Sequence, residues 1–245
     1  MIKISKRLTV AASLVSRDSV LADVGTDHGY VPIYLVEKGV IPRAIAMDIN
    51  RGPLERAKEH IAQFGMGEYI QTRLSDGVSA LAPGEADSIL IAGMGGGLVM
   101  HILEDGAAVC QSAGELVLQP QSELEHVRHY LYEKGYVTDA EEMVEEEGKY
   151  YPMMRVHYEP GKSNRIEVKN ARKTDSTFAV YDAYGRILLE SRHPVLLEYL
   201  ERERKLYENI LCKLKEQSQT GTIAKRIREM EAALERNKEA LTYYR

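Results

Sequence analysis

A glycine-rich loop with acidic residues inside it follows the first apolar run of the chain. The run at 20–24 leads into Gly25, Asp27, His28 and Gly29. Glycine lets a ligand approach the main chain, and a helix that starts here offers unpaired N–H groups. Asp27 would repel a pyrophosphate, and the spacing is not the Gly-x-Gly-x-x-Gly of dinucleotide-binding folds. The loop therefore predicts a positively charged ligand without phosphates, and S-adenosylmethionine, with its sulfonium and amino groups, is such a ligand.

Acidic residues at the ends of three consecutive predicted strands agree with such a ligand. Asp23 ends the first strand, Asp48 ends the second, and Asp76, between Ser75 and Gly77, follows the third. A carboxylate after the second strand can accept both hydroxyls of a ribose, a role that NAD-binding folds share. In class I methyltransferases an acid after the third strand commonly accepts the adenine amino group. Each acid alone is more often a helix cap or a loop acid, so the prediction depends on the three together.

A second glycine-rich run, IAGMGGG (91–97), follows the fourth predicted strand. In methyltransferases this strand end faces the methyl group that is transferred. The run has no Asn-Pro-Pro-Tyr, the usual arrangement for amino-group methylation of bases, and no cysteine for a covalent route to pyrimidine C5. We expect Ala92, Gly93 and Met94 to form a bare floor on which a planar base lies close to the methyl. The alternative is a turn that needs glycine only for packing the strand against a helix.

Polar side chains on the first loop are candidates for contact with a substrate. Asp27, His28 and Tyr30 follow the first strand directly. We predict that Tyr30 contacts the target base or relays a proton from its amino group, and that His28 packs near the methionine part of the cofactor. Tyr30 could instead be a core residue at the start of the helix, and His28 a capping donor.

The elements that must position these residues alternate between short apolar runs and helical patterns. Five strands are predicted at 20–24, 44–48, 69–74, 87–92 and 115–119, each short and apolar on both faces as in a buried parallel sheet. Three helices are predicted at 31–39, 52–65 and 122–135. The last helix has Ser122 as its N-cap and Glu125 three residues later, a capping-box pattern. Two extended runs around 147–149 predict an antiparallel pair. The fold class is α/β, a Rossmann-like class I methyltransferase sheet.

The pattern changes after residue 160, where a polar stretch predicts a linker. We predict a methyltransferase domain at 1–160 and a C-terminal helical domain at 161–245. From about His193 apolar residues recur at spacings of three and four, interrupted by QSQTGT (217–222). Two such amphipathic helices predict an antiparallel coiled-coil hairpin with Glu203 and Asn237 as polar residues in its seam. The alternative is two ordinary surface helices packed on the α/β domain.

Charge is distributed unevenly between the two parts. Residues 162–245 hold 18 Lys+Arg and 13 Asp+Glu, a net charge of +5, whereas 1–161 hold 14 and 24, a net charge of −10. The basic part predicts contact with a polyanion, although a charged helical surface that only keeps the protein soluble would give the same pattern. The candidates for contact with RNA phosphates are Lys213, Lys215, Lys225, Arg226 and Arg228.

The composition argues against several other classes of protein. The chain has 245 residues, 44% hydrophobic and 28% charged, as in a globular protein. It has no apolar run long enough to span a membrane, and Arg17 and Asp18 interrupt the N-terminal apolar stretch, which argues against a signal peptide. Cys110 and Cys212 lie far apart, without metal-ligand spacing, which predicts reduced thiols and no metal site. We expect a cytoplasmic protein that is a monomer or a weak homodimer.

The motifs quoted above, taken together, resemble a known family. DVGTDHGY, DINRGPLERA, LSDG, IAGMGGG and LVLQPQ, in this order and after the opening ISKRLTVAASLV, resemble the bacterial tRNA (adenine-22-N1)-methyltransferases. The resemblance covers roughly residues 1–160 and includes the helical hairpin as a pattern. It implies S-adenosylmethionine as cofactor, tRNA as partner and methylation of N1 of an adenine. Asp48 stands where the family often has Glu, and the shorter acid still reaches a ribose.

The resemblance also implies roles for residues of the site. It places the N-terminal segment near the mouth of the cofactor site, where we predict that Arg7 or Lys6 binds the methionine carboxylate or a tRNA phosphate. The predicted catalytic residues are Asp27, Tyr30, Gly93 and Met94. The predicted cofactor-binding residues are Arg7, Asp23, Gly25, His28, Asp48, Ser75, Asp76, Gly77, Ala92 and Gly93. No strong base is needed, because adenine N1 has a free lone pair near neutral pH.

Three other functions compete with this hypothesis. A nicotinamide dehydrogenase is disfavoured because the phosphate-loop glycines are missing. A non-catalytic tRNA-binding module is disfavoured by the intact acids at 23, 48 and 76. A class I methyltransferase that acts on another RNA, on DNA or on a small molecule is argued against only by the resemblance.

Overall fold

The computed structural model describes residues 2–161, 175–216 and 221–245. The chain divides into two compact units, Met1–Ile166 and Glu167–Arg245. The predicted linker at 161–176 lies largely outside the described residues, so the predicted domain boundary after residue 160 stays a prediction.

The first unit is a seven-stranded sheet with helices. Its strands are β1 (Val20–Val24), β2 (Arg43–Asp48), β3 (Ile70–Leu74), β4 (Ser88–Met94), β5 (Glu115–Pro120), β6 (Tyr136–Glu146) and β7 (Lys149–Tyr158). Its helices are α1 (Lys6–Ser13), α2 (Tyr30–Glu37), α3 (Arg51–Gln63), α4 (Gly96–Asp105), α5 (Ala107–Ser112) and α6 (Leu124–Glu133). The strand order is β3-β2-β1-β4-β5-β7-β6, with β1 to β5 parallel and β7 antiparallel to both of its neighbours. The predicted α/β sheet is confirmed, and the antiparallel β7 distinguishes it from the dinucleotide-binding order 3-2-1-4-5-6.

Each face of this sheet has its own apolar core. In β1, Leu21 packs with residues of α1, α2 and α3, whereas Ala22 and Val24 pack with residues of α4, α5 and α6. Successive side chains of a strand point to opposite faces, so a strand covered on both faces must be apolar throughout. This burial explains why the strands of the sheet are recognisable as short continuous apolar runs.

The connections of the chain reverse direction between β1 and β4. Ala22 of β1 is paired with Ile45 of β2 on one side and with Ile89 of β4 on the other. The chain therefore leaves β1 toward one edge of the sheet and leaves β4 toward the other. Such a reversal opens a crevice at the carboxyl ends of the two strands. Asp23 and Gly93 lie near these ends.

The predicted capping box of α6 is wrong. The helix begins at Leu124, after Glu123 in a left-handed conformation with φ 55°, and no side chain caps it. Instead, the side chains of Ser122 and Glu123 accept the N–H groups of Gly96 and Gly97 at 3.2 and 2.8 Å. Helix α4 begins with these glycines, which have no side chain to satisfy its first N–H groups. The loop before α6 therefore caps α4.

The second unit is helical in its described part. Its helices are α7 (Asp175–Tyr184), α8 (Arg186–Glu190), α9 (Pro194–Lys215) and α10 (Gly221–Leu241). The predicted start of helical structure, about His193, is too late, because α7 and α8 precede it and are separated by Gly185 at φ 90°. The two long helices are present as predicted and pack through Leu211, Met230 and Leu234. Most of QSQTGT lies outside the described residues, and coiled-coil geometry stays a prediction.

One carboxylate joins three helices of the second unit. Glu203 accepts hydrogen bonds from the hydroxyls of Tyr184, Tyr199 and Tyr207 at 2.6, 2.9 and 2.8 Å. It also accepts one from the amide of the buried Asn237 at 3.0 Å. Burial, with the Glu203 carboxylate adding to it, raises the pKa of Tyr184 well above its usual value. The two polar residues predicted in the seam are therefore bonded to each other, which fixes one register of α9 against α10.

Alanine at Gly96 should destabilise the first unit. A Cβ there would overlap the Ser122 carbonyl oxygen and lie 2.9 Å from Val127. We expect Gly96→Ala to lower the free energy of unfolding by about 1–3 kcal/mol, as overpacking does. In the control Gly97→Ala, the Cβ meets the end of the flexible Glu123 side chain at 3.2 Å. Urea denaturation of both variants tests this prediction, and equal midpoints would contradict it.

Candidate active site

A cavity of about 460 Å³ opens at the carboxyl ends of β1 and β4. Its wall is formed by the segment around the start of α1, the loop between β1 and α2, the end of β4 and the loop after β5. The predicted site residues that line it are Arg7, Asp23, Gly25, Asp27, His28, Tyr30, Ala92 and Gly93. The cavity therefore lies at the reversal of the sheet, where ligands of open α/β sheets bind.

The β1–α2 loop turns through three left-handed residues. Gly25, Asp27 and Gly29 have φ angles of 71°, 50° and 71°. A Cβ at Gly25 would overlap the methyl of Met94, so the Met94 side chain lies against the bare backbone of Gly25. The carboxylate of Asp27, 59% exposed, pairs with the guanidinium of Arg56 on α3 at 3.0 Å. This loop is thereby held between the end of β4 and helix α3.

Asp23 is a buried carboxylate on the cavity wall. It is 5% exposed and accepts a hydrogen bond from the Thr26 hydroxyl at 2.6 Å. Burial raises the pKa of Asp23 to about 6, opposed by the Thr26 hydrogen bond and assisted by the charge of Asp48. Among the described residues no cation pairs with it. A positively charged group in the cavity would favour the ionised form, so the site fits a cationic ligand.

Asp48 is a buried carboxylate that stabilises the β1–α2 loop. It is 7% exposed, and its two oxygens accept the N–H groups of Asn50 at 2.8 Å and of Asp27 at 3.4 Å. It is not among the residues that line the cavity. Contact between Asp48 and a ribose stays a prediction.

The residues after β3 lie apart from this cavity. Ser75 is buried, and its hydroxyl donates to the carbonyl of Gly77 at 2.9 Å. Asp76 is exposed and, with Gly77, lines a separate depression of about 110 Å³ against α4. The structure does not bring these three residues to the main cavity, and their contact with an adenine stays a prediction.

The glycine run 91–97 borders the cavity at its start and is packed against the loop before α6 at its end. Gly93, with φ 82°, lines the cavity, and Met94 lies against Gly25. Gly96, by contrast, is buried and packs directly against Ser122. Packing accounts for the end of the run. Met94 is not among the residues that line the cavity, and contact of the start of the run with a planar base stays a prediction.

Sequence reasoning missed Gln119, a buried residue behind the cavity wall. Its side-chain oxygen accepts the Arg7 guanidinium at 2.7 Å and the N–H of Gly93 at 3.2 Å. Arg7 also lies over the ring of Tyr151, 5.5 Å from its centroid. Gln119 thus ties the N-terminal segment to the end of β4. The sequence signal was a glutamine directly after the apolar run Leu116–Leu118 of β5; in the structure its side chain is 0% exposed.

Sequence reasoning also missed His60, which joins an aromatic cluster at the cavity. The rings of His28, Tyr30 and His60 are nearly parallel, with centroids 5.1 to 5.3 Å apart and interplanar angles of 11° to 23°. The Nδ1 atom of His60 lies 3.0 Å from the carbonyl oxygen of His28. This hydrogen bond assigns the proton to Nδ1. No local pattern in α3 distinguishes His60 from a surface residue.

The predicted RNA-binding residues lie on the second unit. Lys213 and Lys215 are on α9, and Lys225, Arg226 and Arg228 are on α10; all five are exposed. Lys215 pairs with a glutamate at 2.9 Å and Arg226 with another at 3.2 Å. The other three cations form no ion pair within the described part of the chain.

Within residues 2–161, 175–216 and 221–245, no helix is long and apolar enough to cross a membrane. No group of three or more His, Cys, Asp or Glu side chains in these ranges is arranged to hold a metal ion.

Comparison with known proteins identifies similar sequences and structures. Residues 4–154 match the family described as "Methyltransferase domain". The tRNA (adenine(22)-N(1))-methyltransferase of Bacillus subtilis is 40% identical over 153 residues, which span 62% of this chain and 64% of that protein, less than two thirds of its length.

Two solved structures resemble the whole chain. The crystal structure of the B. subtilis m1A22 tRNA methyltransferase is 30% identical, with a TM-score of 0.83, covering 98% of this chain and 100% of that one. A Streptococcus pneumoniae protein assigned to the tRNA (m1A22) methyltransferases, in complex with S-adenosyl-L-methionine, is 32% identical, with a TM-score of 0.81 and the same coverage.

Neutralising Asp23 should stabilise the ligand-free protein near pH 7. Its folded pKa is raised from 3.8 to about 6, so the folded state holds this proton more tightly than the unfolded chain does. The resulting stability is present below about pH 4 and is lost as the pH rises through 6. Asp23→Asn should therefore add up to about 3 kcal/mol at pH 7, at about 1.4 kcal/mol per pH unit, and little at pH 4.

Urea denaturation at the two pH values measures this effect. Asp18→Asn is the matched control, because Asp18 is exposed and its left-handed φ of 61° suits asparagine as well. A stability difference between Asp23→Asn and the natural protein that does not change with pH would contradict the prediction.

Proposed function

The chain belongs to the tRNA (adenine-22-N1)-methyltransferase family, and on that basis we propose that it transfers a methyl group from S-adenosylmethionine to N1 of adenine 22 in tRNA. The observation that carries this proposal is the likeness along 98% of the chain to a structure that holds S-adenosyl-L-methionine. It includes the helical unit as well as the sheet. The motif order DVGTDHGY to IAGMGGG agrees with it.

The cavity suits this methyl donor by charge and by shape. The buried Asp23 carboxylate favours a cation next to it, and the ligand carries two positive centres. Gly25 and Gly93 both line the cavity and leave its main chain bare. Arg7, held by Gln119 at 2.7 Å, offers a fixed positive group for a carboxylate. When bound, S-adenosylmethionine supplies a methyl group on a cationic sulfur, which is a good leaving group.

The chain's own residues have to orient the acceptor rather than activate it. Adenine N1 has a lone pair near neutral pH, so the rate depends on alignment with the methyl and on the charge that arrives on the base. Tyr30 lines the cavity and is the candidate for contact with the base. The Asp27 carboxylate at the same wall favours positive charge on the methylated product. We expect Gly93, which lines the cavity, to form its floor, supported by Met94, whose side chain lies against Gly25.

The tRNA must expose the target base, because N1 faces the partner base in a paired stem. Flipping the nucleotide out of the stack is the usual solution. Lys213, Lys225 and Arg228 of the second unit are exposed, and we expect them to contact phosphates of the tRNA. We propose a cytoplasmic enzyme, monomeric or weakly dimeric and independent of metal, with a catalytic domain at 1–160 and a helical domain at 161–245.

Mass spectrometry of nucleosides tests the proposed activity. Unmodified tRNA carrying adenine 22 is incubated with the protein and S-adenosylmethionine, digested and analysed. We expect 1-methyladenosine, and none from the same tRNA with guanine at position 22. Methylation of the guanine-22 tRNA would contradict the proposed position. Absence of methylated nucleosides from both would contradict the activity and favour a binding module or another acceptor.

Exposed cations that form no ion pair with any described residue should contribute most to tRNA affinity. We compare Lys213→Gln/Arg228→Gln with Lys215→Gln/Arg226→Gln, because each pair has one lysine on α9 and one arginine on α10. Lys215 and Arg226 already pair with glutamates. The first double variant should reduce the slope of log affinity against log salt by roughly 1–2, since each phosphate contact contributes about 0.9. The second should change it less, and equal slopes in all three proteins would contradict phosphate contact here.

A further inference from the structure

We propose that His60 is a positioning residue. It supports the rings of His28 and Tyr30, which together form a stacking surface for the target purine. The identity of the purine, an adenine of tRNA, rests on the proposed function. The existence of the surface depends only on the rings and on the cavity that they border.

The arrangement of the three rings supports a shared surface. The centroid distances are 5.1 Å for His28–Tyr30, 5.3 Å for His28–His60 and 5.3 Å for Tyr30–His60. Since all three distances are nearly equal, the rings do not form a linear column. Their planes differ by only 11° to 23°, so the three faces have a common orientation.

His60 of α3 packs against both rings of this surface but does not line the cavity. His28 and Tyr30 do line it. His60 donates from Nδ1 to the carbonyl oxygen of His28 at 3.0 Å, between the left-handed residues Asp27 and Gly29. A single side chain thus supports both rings and restrains the backbone that carries them. His60 acts on a substrate through His28 and Tyr30.

Packing alone does not account for a histidine at position 28. Its side chain is 32% exposed, and its Nε2 atom lies 3.4 Å from the exposed Asp27 carboxylate. Its Nδ1 atom is buried with no hydrogen-bond partner among the described residues. A buried nitrogen without a partner is unfavourable, and an apolar side chain would fill the same space without that cost. The position therefore favours a polar aromatic ring that is accessible from the cavity.

An aromatic surface suits both the acceptor and the product of this reaction. Bases stack on aromatic side chains, and a purine offers more area than a pyrimidine. Methylation at N1 makes the base cationic, and the face of a tyrosine ring attracts a cation. The rings border the same cavity as Asp23 and Gly93, where the methyl donor is proposed to bind.

Steady-state kinetics with matched variants tests the role of His60. We expect His60→Ala to lower kcat/KM for tRNA roughly tenfold, the effect of weakening one stacked base, while the Kd for S-adenosylhomocysteine stays unchanged. His60→Phe keeps a ring and should restore most of kcat/KM. His101→Ala, an exposed histidine on α4, is the control and should match the natural protein. Full kcat/KM in His60→Ala would overturn the inference, as would an equal loss in His60→Phe and His60→Ala.

A spectroscopic test reports stacking without turnover. tRNA with 2-aminopurine at position 22 should lose fluorescence on binding to the natural protein and to His60→Phe, and should lose less on binding to His60→Ala at saturation. Equal quenching by all three would overturn the inference.

A failure of the proposed function is distinguishable from a failure of this inference. If the natural protein does not methylate tRNA, adenosine is titrated up to its solubility limit into the protein saturated with S-adenosylhomocysteine. Ring-current shifts of the His28 and His60 proton resonances with adenosine, and smaller ones with cytidine, would support the stacking surface without the function. Absence of any shift with adenosine would overturn it.

Discussion

A backbone conformation that most residues avoid determines the geometry of the cavity. Gly25, Asp27 and Gly29 are all left-handed, and at Gly25 a side chain would overlap Met94. Such a loop persists only where its surroundings hold it. Asp48 accepts the N–H of Asp27 at 3.4 Å, and the neighbouring helix α3 supplies an ion pair and a hydrogen bond to the loop carbonyl. The rings, the bare main chain and the acidic wall all depend on this loop.

The strand before this loop, β1, carries the clearest conflict between stability and binding. Burial raises the pKa of Asp23 to about 6, and no cation among the described residues pairs with its carboxylate. A protein selected only for stability would not keep such a group, whereas a site for a cation needs it. Burying the carboxylate destabilises the ligand-free protein, and a positively charged ligand that pairs with it would therefore bind more tightly.

Local sequence pattern predicted most of the sheet and much of the cavity, because both follow from short-range chemistry. Continuous apolar runs identify strands buried on both faces, and glycine identifies a bare loop. Gln119 was missed because its partner Arg7 is 112 residues away, and no spacing rule relates the two. The capping pattern at Ser122 was real, but a pattern does not tell which helix receives the cap. The acids at 48 and 76 were recognised from their positions after strands, but strand position alone does not tell which acids line the cavity, and neither of these two does.

The loop before α6 caps the start of α4, and this limits how the sequence of the protein can change in evolution. Loops on protein surfaces usually accept insertions and deletions. Here Ser122 and Glu123 must stay next to Gly96 and Gly97, directly after Gln121, which lines the cavity. Insertion of one residue into this loop would remove the caps from the start of α4 and would also disturb the adjacent wall of the cavity. We therefore expect insertions and deletions in related proteins to occur in other loops, and the loop between β5 and α6 to keep its length.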